Sequence, residues 1–208
     1  MWKMKVLKLK GNRQAPEDEE KVAVHPYHMA SMHVDLGDIE LHEVSSEDLG
    51  DWIEEIVKVE SPVHLLEVTS RIISAAGIQR SGRRIRAAIE RGAKQAAKKG
   101  RVVRKRDFLW QSDMKVPVVR DRSMLPSSSR KIERVAPEEI KEAVRMVVHK
   151  GVGMTKEEAL VEACRLLGYA RATENIRQYV EQYIQNLLND KELILENGYL
   201  LSQIHKGY

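Results

Sequence analysis

Residues 46 to 110 and residues 137 to 201 of this chain superimpose at a constant offset of 91 positions with no gap, and their apolar positions coincide. Gly77 falls on Gly168, Arg80 on Arg171, Ile85 on Ile176, Arg86 on Arg177, Glu90 on Glu181 and Leu109 on Leu200. Glu47, Val57 and Glu67 fall on Glu138, Val148 and Glu158. Matched character carries more weight than these identities. Ile89 lies on Val180, Ala96 and Ala97 on Leu187 and Leu188, Val102 and Val103 on Leu193 and Ile194, and Phe108 on Tyr199. A fixed-period match marks a duplicated supersecondary unit, so any fold assigned to one copy must also satisfy the other. The 208 residues divide accordingly into an N-terminal segment 1–45, a first repeat 46–111, a linker 112–135, a second repeat 136–203 and a tail 204–208.

Each repeat reads as three helices and a hairpin. In the first, Ser46 caps a helix over 47–57, Ser61-Pro62 opens a second helix that ends at Gly77, and Ser81 starts a third that stops at Gly100. A hairpin over 101–110 follows, turning at Lys105-Arg106-Asp107. The second repeat gives helices over 137–149, 155–167 with a Thr-Lys-Glu-Glu cap, and 173–190. Its hairpin, 193–201, turns at Asn197-Gly198, the strongest short hairpin pattern. Three helices and a hairpin, with a tight turn between the second and third helix, is the order of a winged helix-turn-helix. The expected fold is therefore mainly α with small β-hairpins: tandem winged helix-turn-helix repeats behind a short β-containing N-terminal segment. In that segment Trp2 to Lys10 alternates like a strand, Gly11 to Lys21 reads as loop, and residues 22–24 and 38–44 have strand character. In the linker, residues 116–119 (VPVV) are strand-like, and Pro126-Ser127-Ser128-Ser129 is typical of a connection.

Hydrophobic residues are 42% of the chain but aromatics only 5%, so each unit must build a small core from Leu, Ile, Val and Ala. No apolar run approaches the ~20 residues that span a bilayer, and the first ten residues lack a signal peptide's apolar centre. A soluble, cytoplasmic protein with no membrane partner is expected. Cys164, the single cysteine, aligns with Ile73 and reads as a small core residue. Phosphate-binding glycine loops and the H-E-x-x-H zinc motif are absent from the sequence, which leaves no ATP-driven motor in this chain. With no nuclease-type carboxylate grouping or Ser, His, Asp set either, the reading is a non-enzyme with no catalytic residue and no cofactor. His25, His28 and His33 form the one candidate metal cluster. Without a nearby cysteine, and with Asp35 and Asp38 in a turn, no metal is expected there.

A net charge of +4 hides a steep gradient. Residues 35–60 hold ten acids and one base, Lys58, whereas residues 80–106 hold twelve bases and one acid, Glu90. At about 100° per residue, Ile85, Ala88, Ile89, Gly92 and Ala96 gather on one side of the third helix. Arg80, Arg83, Arg84, Arg91, Lys94 and Lys98 then point the other way, around Ala87, and Arg101, Arg104, Lys105 and Arg106 of the hairpin extend the same field. A merely solvated face mixes both signs; this one does not. These ten cations are the candidate nucleic-acid contacts. The acidic helix around Asp48, Asp51, Glu54 and Glu55 reads as a solvated face or an internal counter to the basic one. In the second repeat the equivalent positions carry Arg171, Glu174, Asn175, Gln178, Glu181, Gln182, Gln185 and Asn189, with Glu192 and Glu196 in the hairpin, and would repel phosphate.

The run Ser61-Pro62-Val63-His64, the stretch from Arg80 to Glu90, Lys99-Gly100-Arg101-Val102 and Phe108-Leu109-Trp110 resemble a domain of unknown function. That family lies at the C-terminus of large bacterial superfamily 1 DNA-helicase-related proteins, often after a nuclease-like segment. Val119-Arg120-Asp121-Arg122-Ser123 and Ala136-Pro137-Glu138-Glu139-Ile140 are similar to it as well, so the resemblance covers roughly residues 46 to 170. It implies an accessory module of a DNA-processing polypeptide and carries over no catalytic residue. Motor and nuclease, the family's usual context, are missing from this sequence. The expected function is non-catalytic binding of DNA, duplex or single-stranded, in support of helicase or nuclease domains of the same or a partner polypeptide. The alternative is a winged helix that docks to an acidic protein.

Overall fold

The computed structural model describes residues 24–151 and 153–203. The strand expected over Trp2 to Lys10 and the loop over Gly11 to Lys21 lie outside the described residues. In chain order the elements are β1 (His25–Pro26), α1 (Ser46–Glu60), β2 (Val63–His64), α2 (Leu65–Ala75), α3 (Arg83–Lys98), β3 (Val102–Lys105), β4 (Phe108–Gln111) and β5 (Arg120–Asp121). A short 3-10 turn (Ile132–Arg134) leads to α4 (Pro137–Lys150), β6 (Met154–Thr155), α5 (Lys156–Leu166), α6 (Glu174–Asn189), β7 (Leu193–Glu196) and β8 (Tyr199–Ser202). The architecture is mixed α and β, with six α-helices among the described residues.

The duplication is written into the element bounds. β2, α2, α3, β3 and β4 each recur 91 positions later with the same start and end, and the first helix differs only at its last residue. Both units form a three-stranded antiparallel sheet, in the orders β2-β4-β3 and β6-β8-β7. Register repeats too: Val63 pairs with Leu109 as Met154 pairs with Leu200.

Local chemistry sets the ends. Ser45, one residue before the serine expected, caps α1 by accepting from the Asp48 amide, and Glu47 and Asp48 favour that helix's first turn. α2 begins at Leu65 and not at Ser61-Pro62, because Val63 and His64 are taken up by strand pairing with Leu109 and Phe108. Similarly, α3 begins after Gly82 and not at Ser81. Thr155 and Glu158 complete a capping box on α5. Residues 38–44 are a pair of turns rather than a strand, closed by Ile39 donating to the Leu36 carbonyl and Glu43 to that of Glu40. Leu41 and Val44, three apart, thereby both enter the first core. Residues 116–119 form no strand either; pairing begins at β5, which runs parallel to β1.

The two units pack differently on the same plan. α1 approaches α3 closely at Gly50 and Gly92, where an added Cβ on Gly92 would lie 2.6 Å from the Leu49 Cβ. The equivalent positions hold Lys141 and Tyr183, and Tyr183 is buried in the second core.

Residues 112–135 do more than connect. Val119, Leu125, Ile132 and Val135 are buried, and Arg120 and Arg122 reach a fully buried carboxylate, Glu139 of α4. Arg120 also donates to the Glu60 carbonyl at 2.7 Å and the Pro62 carbonyl at 2.9 Å, which ties the second unit to the first. The Tyr27 ring lies against both guanidiniums, and its hydroxyl donates to Glu60, itself held by Arg71.

Gly168 closes α5 against this network. Its φ is +89, and a Cβ there would lie 2.4 Å from the Arg122 backbone nitrogen, whereas Gly77, its counterpart at φ +69, has open space. Gly77→Ala should cost about 1 kcal/mol, the left-handed penalty alone. Gly168→Ala adds overpacking against backbone and should cost about 3 kcal/mol. Chemical denaturation of the two variants checks the difference, and equal losses would show that β5 yields freely.

Candidate nucleic-acid interface

Ala88, Ile89, Gly92, Ala93 and Ala96 bury one side of α3, which forces the other side outward. Arg80, Arg83, Arg84, Arg91, Lys94 and Lys98 are exposed there, as are Lys105 and Arg106 at the hairpin tip. Arg101 and Arg104 are only partly exposed, and both are engaged. Arg101 pairs with Glu47 and Asp51 of α1, and Arg104 donates to Glu90 at 2.6 Å. Lys94 lies 3.6 Å from the same Glu90, and Arg91 donates to the His42 carbonyl at 3.4 Å. Lys105 sits 3.7 Å above the buried Trp110 ring. Among the described residues, Arg80, Arg83, Arg84, Lys98, Lys105 and Arg106 have no acidic partner. Arg86 joins them, exposed and unpaired, although helical spacing alone did not place it with the outward set; its counterpart Arg177 is tied to Glu157 and the Ala172 carbonyl.

The acidic face of α1 acts as an internal counter to the base of the hairpin. Hydrogen bonds from Lys99 and then Gln95 bring the Glu47 carboxyl down to about 2. Glu47 in turn raises the Arg101 guanidinium above its ordinary value.

Two local choices work against stability on this face. Arg83 and Arg84 stand in the first turn of α3 with no acid, at the positive end of the helix dipole, and Gly82 offers no side-chain cap. Arg106 occupies the hairpin turn with φ 55, where the other hairpin has Asn197 at 51 and Gly198 at 86. Arginine is a costly choice for a left-handed position.

In the second unit Arg171, Glu174, Asn175, Gln178, Glu181, Gln182, Gln185 and Asn189 are all exposed at the equivalent positions, and Glu174 suits the helix dipole. Residues 171–197 hold three bases and five acids, against twelve and one in residues 80–106. The scaffold is shared and the charge reversed.

His25, His28 and His33 are exposed, and no group of three or more His, Cys, Asp or Glu comes together among the described residues. Cys164 is buried, and burial pushes its thiol up to about 11. No helix among the described residues is long and apolar enough to cross a membrane.

No curated protein and no solved structure matches the chain. A family described as "Protein of unknown function (DUF3320)" matches residues 40–87. The likeness to a domain-of-unknown-function family thus rests on the stretch that builds α1, α2 and the Arg80 to Arg86 part of the basic face.

Proposed function

We propose that this chain is a tandem winged-helix protein whose first unit binds DNA without catalysing a reaction on it. The order of helices and strands in each unit, and the sheet order β2-β4-β3, support the winged-helix reading, with α3 as the helix that meets the duplex and β3-β4 as the wing. One observation carries the function: on two copies of one scaffold, residues 80–106, which hold the third helix and hairpin, sum to +11, and the equivalent residues 171–197 to −2. Phosphate neutralisation supplies most non-specific affinity, so only the first copy is suited to a nucleic-acid backbone. The role is to engage substrate for a helicase or nuclease domain of the same or a partner polypeptide. Affinity for single-stranded DNA, duplex DNA and RNA of one length across a salt series tests it. With about five phosphates neutralised, log affinity for duplex should fall with log salt at a slope of about −4 to −5. A flat response, or no binding at low salt, would contradict the proposal.

The wing tip yields a second expectation. Arg106→Asn should stabilise the chain by about 0.5–1 kcal/mol, because Asn tolerates the left-handed turn, while weakening duplex binding and reducing the salt slope by about 0.9. Paired thermal and binding measurements check it, and an unchanged slope would remove Arg106 from the interface.

A further inference from the structure

Two ion pairs tie the first helix of each unit to the end of its third helix and to the base of its hairpin, and their signs are exchanged between the units. In the first unit Lys99 closes α3 and holds Glu47 of α1. Arg101, just ahead of β3, pairs with Glu47 and Asp51 and faces Glu54 at 3.8 Å. In the second unit Asp190 closes α6 and takes Lys141 of α4 at 3.0 Å. Glu192, just ahead of β7, takes Arg145 of α4 at 2.8 Å, with Glu142 on the same guanidinium at 2.9 Å. At the repeat offset of 91, Arg101 corresponds to Glu192, Glu54 to Arg145, Asp51 to Glu142 and Lys99 to Asp190, whereas the helix partners of this last pair stand at different positions, Glu47 falling on Glu138 and Lys141 on Gly50.

The bridge from first helix to hairpin base is thus present with either polarity. A cation kept only for phosphate would need no anion with a matched partner as its counterpart in the unit that has lost the basic face. What the two units share is the tether.

Resting on the proposed nucleic-acid reading, we infer that Arg101 is a positioning residue: it anchors the hairpin base to α1, so that Lys105 and Arg106 stand beside the cations of α3, and makes no phosphate contact of its own. Its side chain is 23% exposed against 69% for Lys94, and carboxylates of α1 occupy its guanidinium. Glu90 fixes the same hairpin from the other side through Arg104. The hairpin is braced at its base by α1, along its length by α3 and at its turn by Leu65, whose amide donates to the Asp107 carbonyl at 2.8 Å, while the Lys105 and Arg106 side chains stay exposed.

The test uses the full chain with Arg101→Ala and with the double variant Glu54→Arg, Arg101→Glu, which copies the second unit's arrangement and keeps the net charge. Arg101→Ala should speed hydrogen exchange of the β3 and β4 amides by about two- to fivefold while leaving the core amides of α1 and α3 unchanged. Duplex affinity should drop by about three- to tenfold with the salt slope within about 0.3 of wild type. The double variant should restore slow exchange and most of the affinity. A slope reduced by about 0.9 in Arg101→Ala, together with a double variant that binds worse than it, would make Arg101 a direct phosphate contact and overturn the inference. A double variant exchanging as fast as Arg101→Ala would overturn the tether itself. A wild-type chain that binds no duplex would sink the nucleic-acid reading instead, and the exchange rates would still decide the tether.

Discussion

Replacing Arg80, Arg83 and Arg84 together by alanine should cut duplex affinity about a hundredfold at 0.15 M salt and reduce the salt slope from about −4.5 to about −2. Each phosphate contact contributes about 0.9 to the slope, so three lost contacts remove about 2.7. The fold should be unharmed. All three side chains are exposed and, among the described residues, have no acidic partner. Alanine is the better helix former, and Arg83 and Arg84 oppose the dipole at the start of α3. The melting temperature should therefore hold or rise slightly while binding collapses. A variant that unfolds would mean that these residues do structural work which the exposed face does not reveal. One that binds as wild type would shift the interface elsewhere.

The largest loss of stability is expected from Glu139→Ala. This carboxylate is fully buried and accepts from both Arg120 and Arg122, with distances of 2.6 Å and 2.7 Å to one oxygen. Truncating it strands two guanidiniums in the interior, which should cost about 3–5 kcal/mol, or roughly 6–20 °C in melting temperature for a chain of this size. Burial alone would raise the Glu139 pKa, but the charges of Arg122 and Arg120 and their hydrogen bonds outweigh it, and the carboxyl ends below its ordinary value of 4.5. The sign follows: the folded state favours the ionised form, so this contribution is complete above pH 4.5 and is lost as pH falls below it. Wild type should lose stability through that acid range, and Glu139→Ala should lose much less. A loss under 1 kcal/mol at neutral pH would show that the network contributes little.

The repeat was legible because helix ends and turns are local. Gly77, Gly100 and Gly168 stop helices where the chain needs positive φ, Asn197-Gly198 turns its hairpin, and Thr155 with Glu158 starts α5. Periodicity located four of the five buried residues of α3, namely Ala88, Ile89, Gly92 and Ala96, but missed Ala93 and set the half-buried Ile85 among them. What escaped depends on partners far along the chain. Arg101 is one more cation in a basic run until α1, some fifty residues earlier, is folded against it. Glu139 and Glu67 find their partners only in the fold, where Glu139 meets Arg120 and Arg122, and Glu67 meets Arg134 and Ser129. Pro126 and its serines resemble a plain connection, but flanking residues on both sides are built into the packing between the units. Cutting the chain there would leave Glu139, Glu60 and Arg120 with fewer partners, so the charge argument is best tested on the intact protein.

If charge separates the two copies, one of two equivalent surfaces meets nucleic acid. A hydrogen-exchange footprint of the full chain, with and without a short DNA duplex, addresses it most directly. Protection is expected at the start of α3 and in β3-β4, within residues 80–106, with none across residues 171–197. Protection on α6 and β7-β8 instead, or equally on both units, would contradict the account, because charge could not then be what separates the two copies.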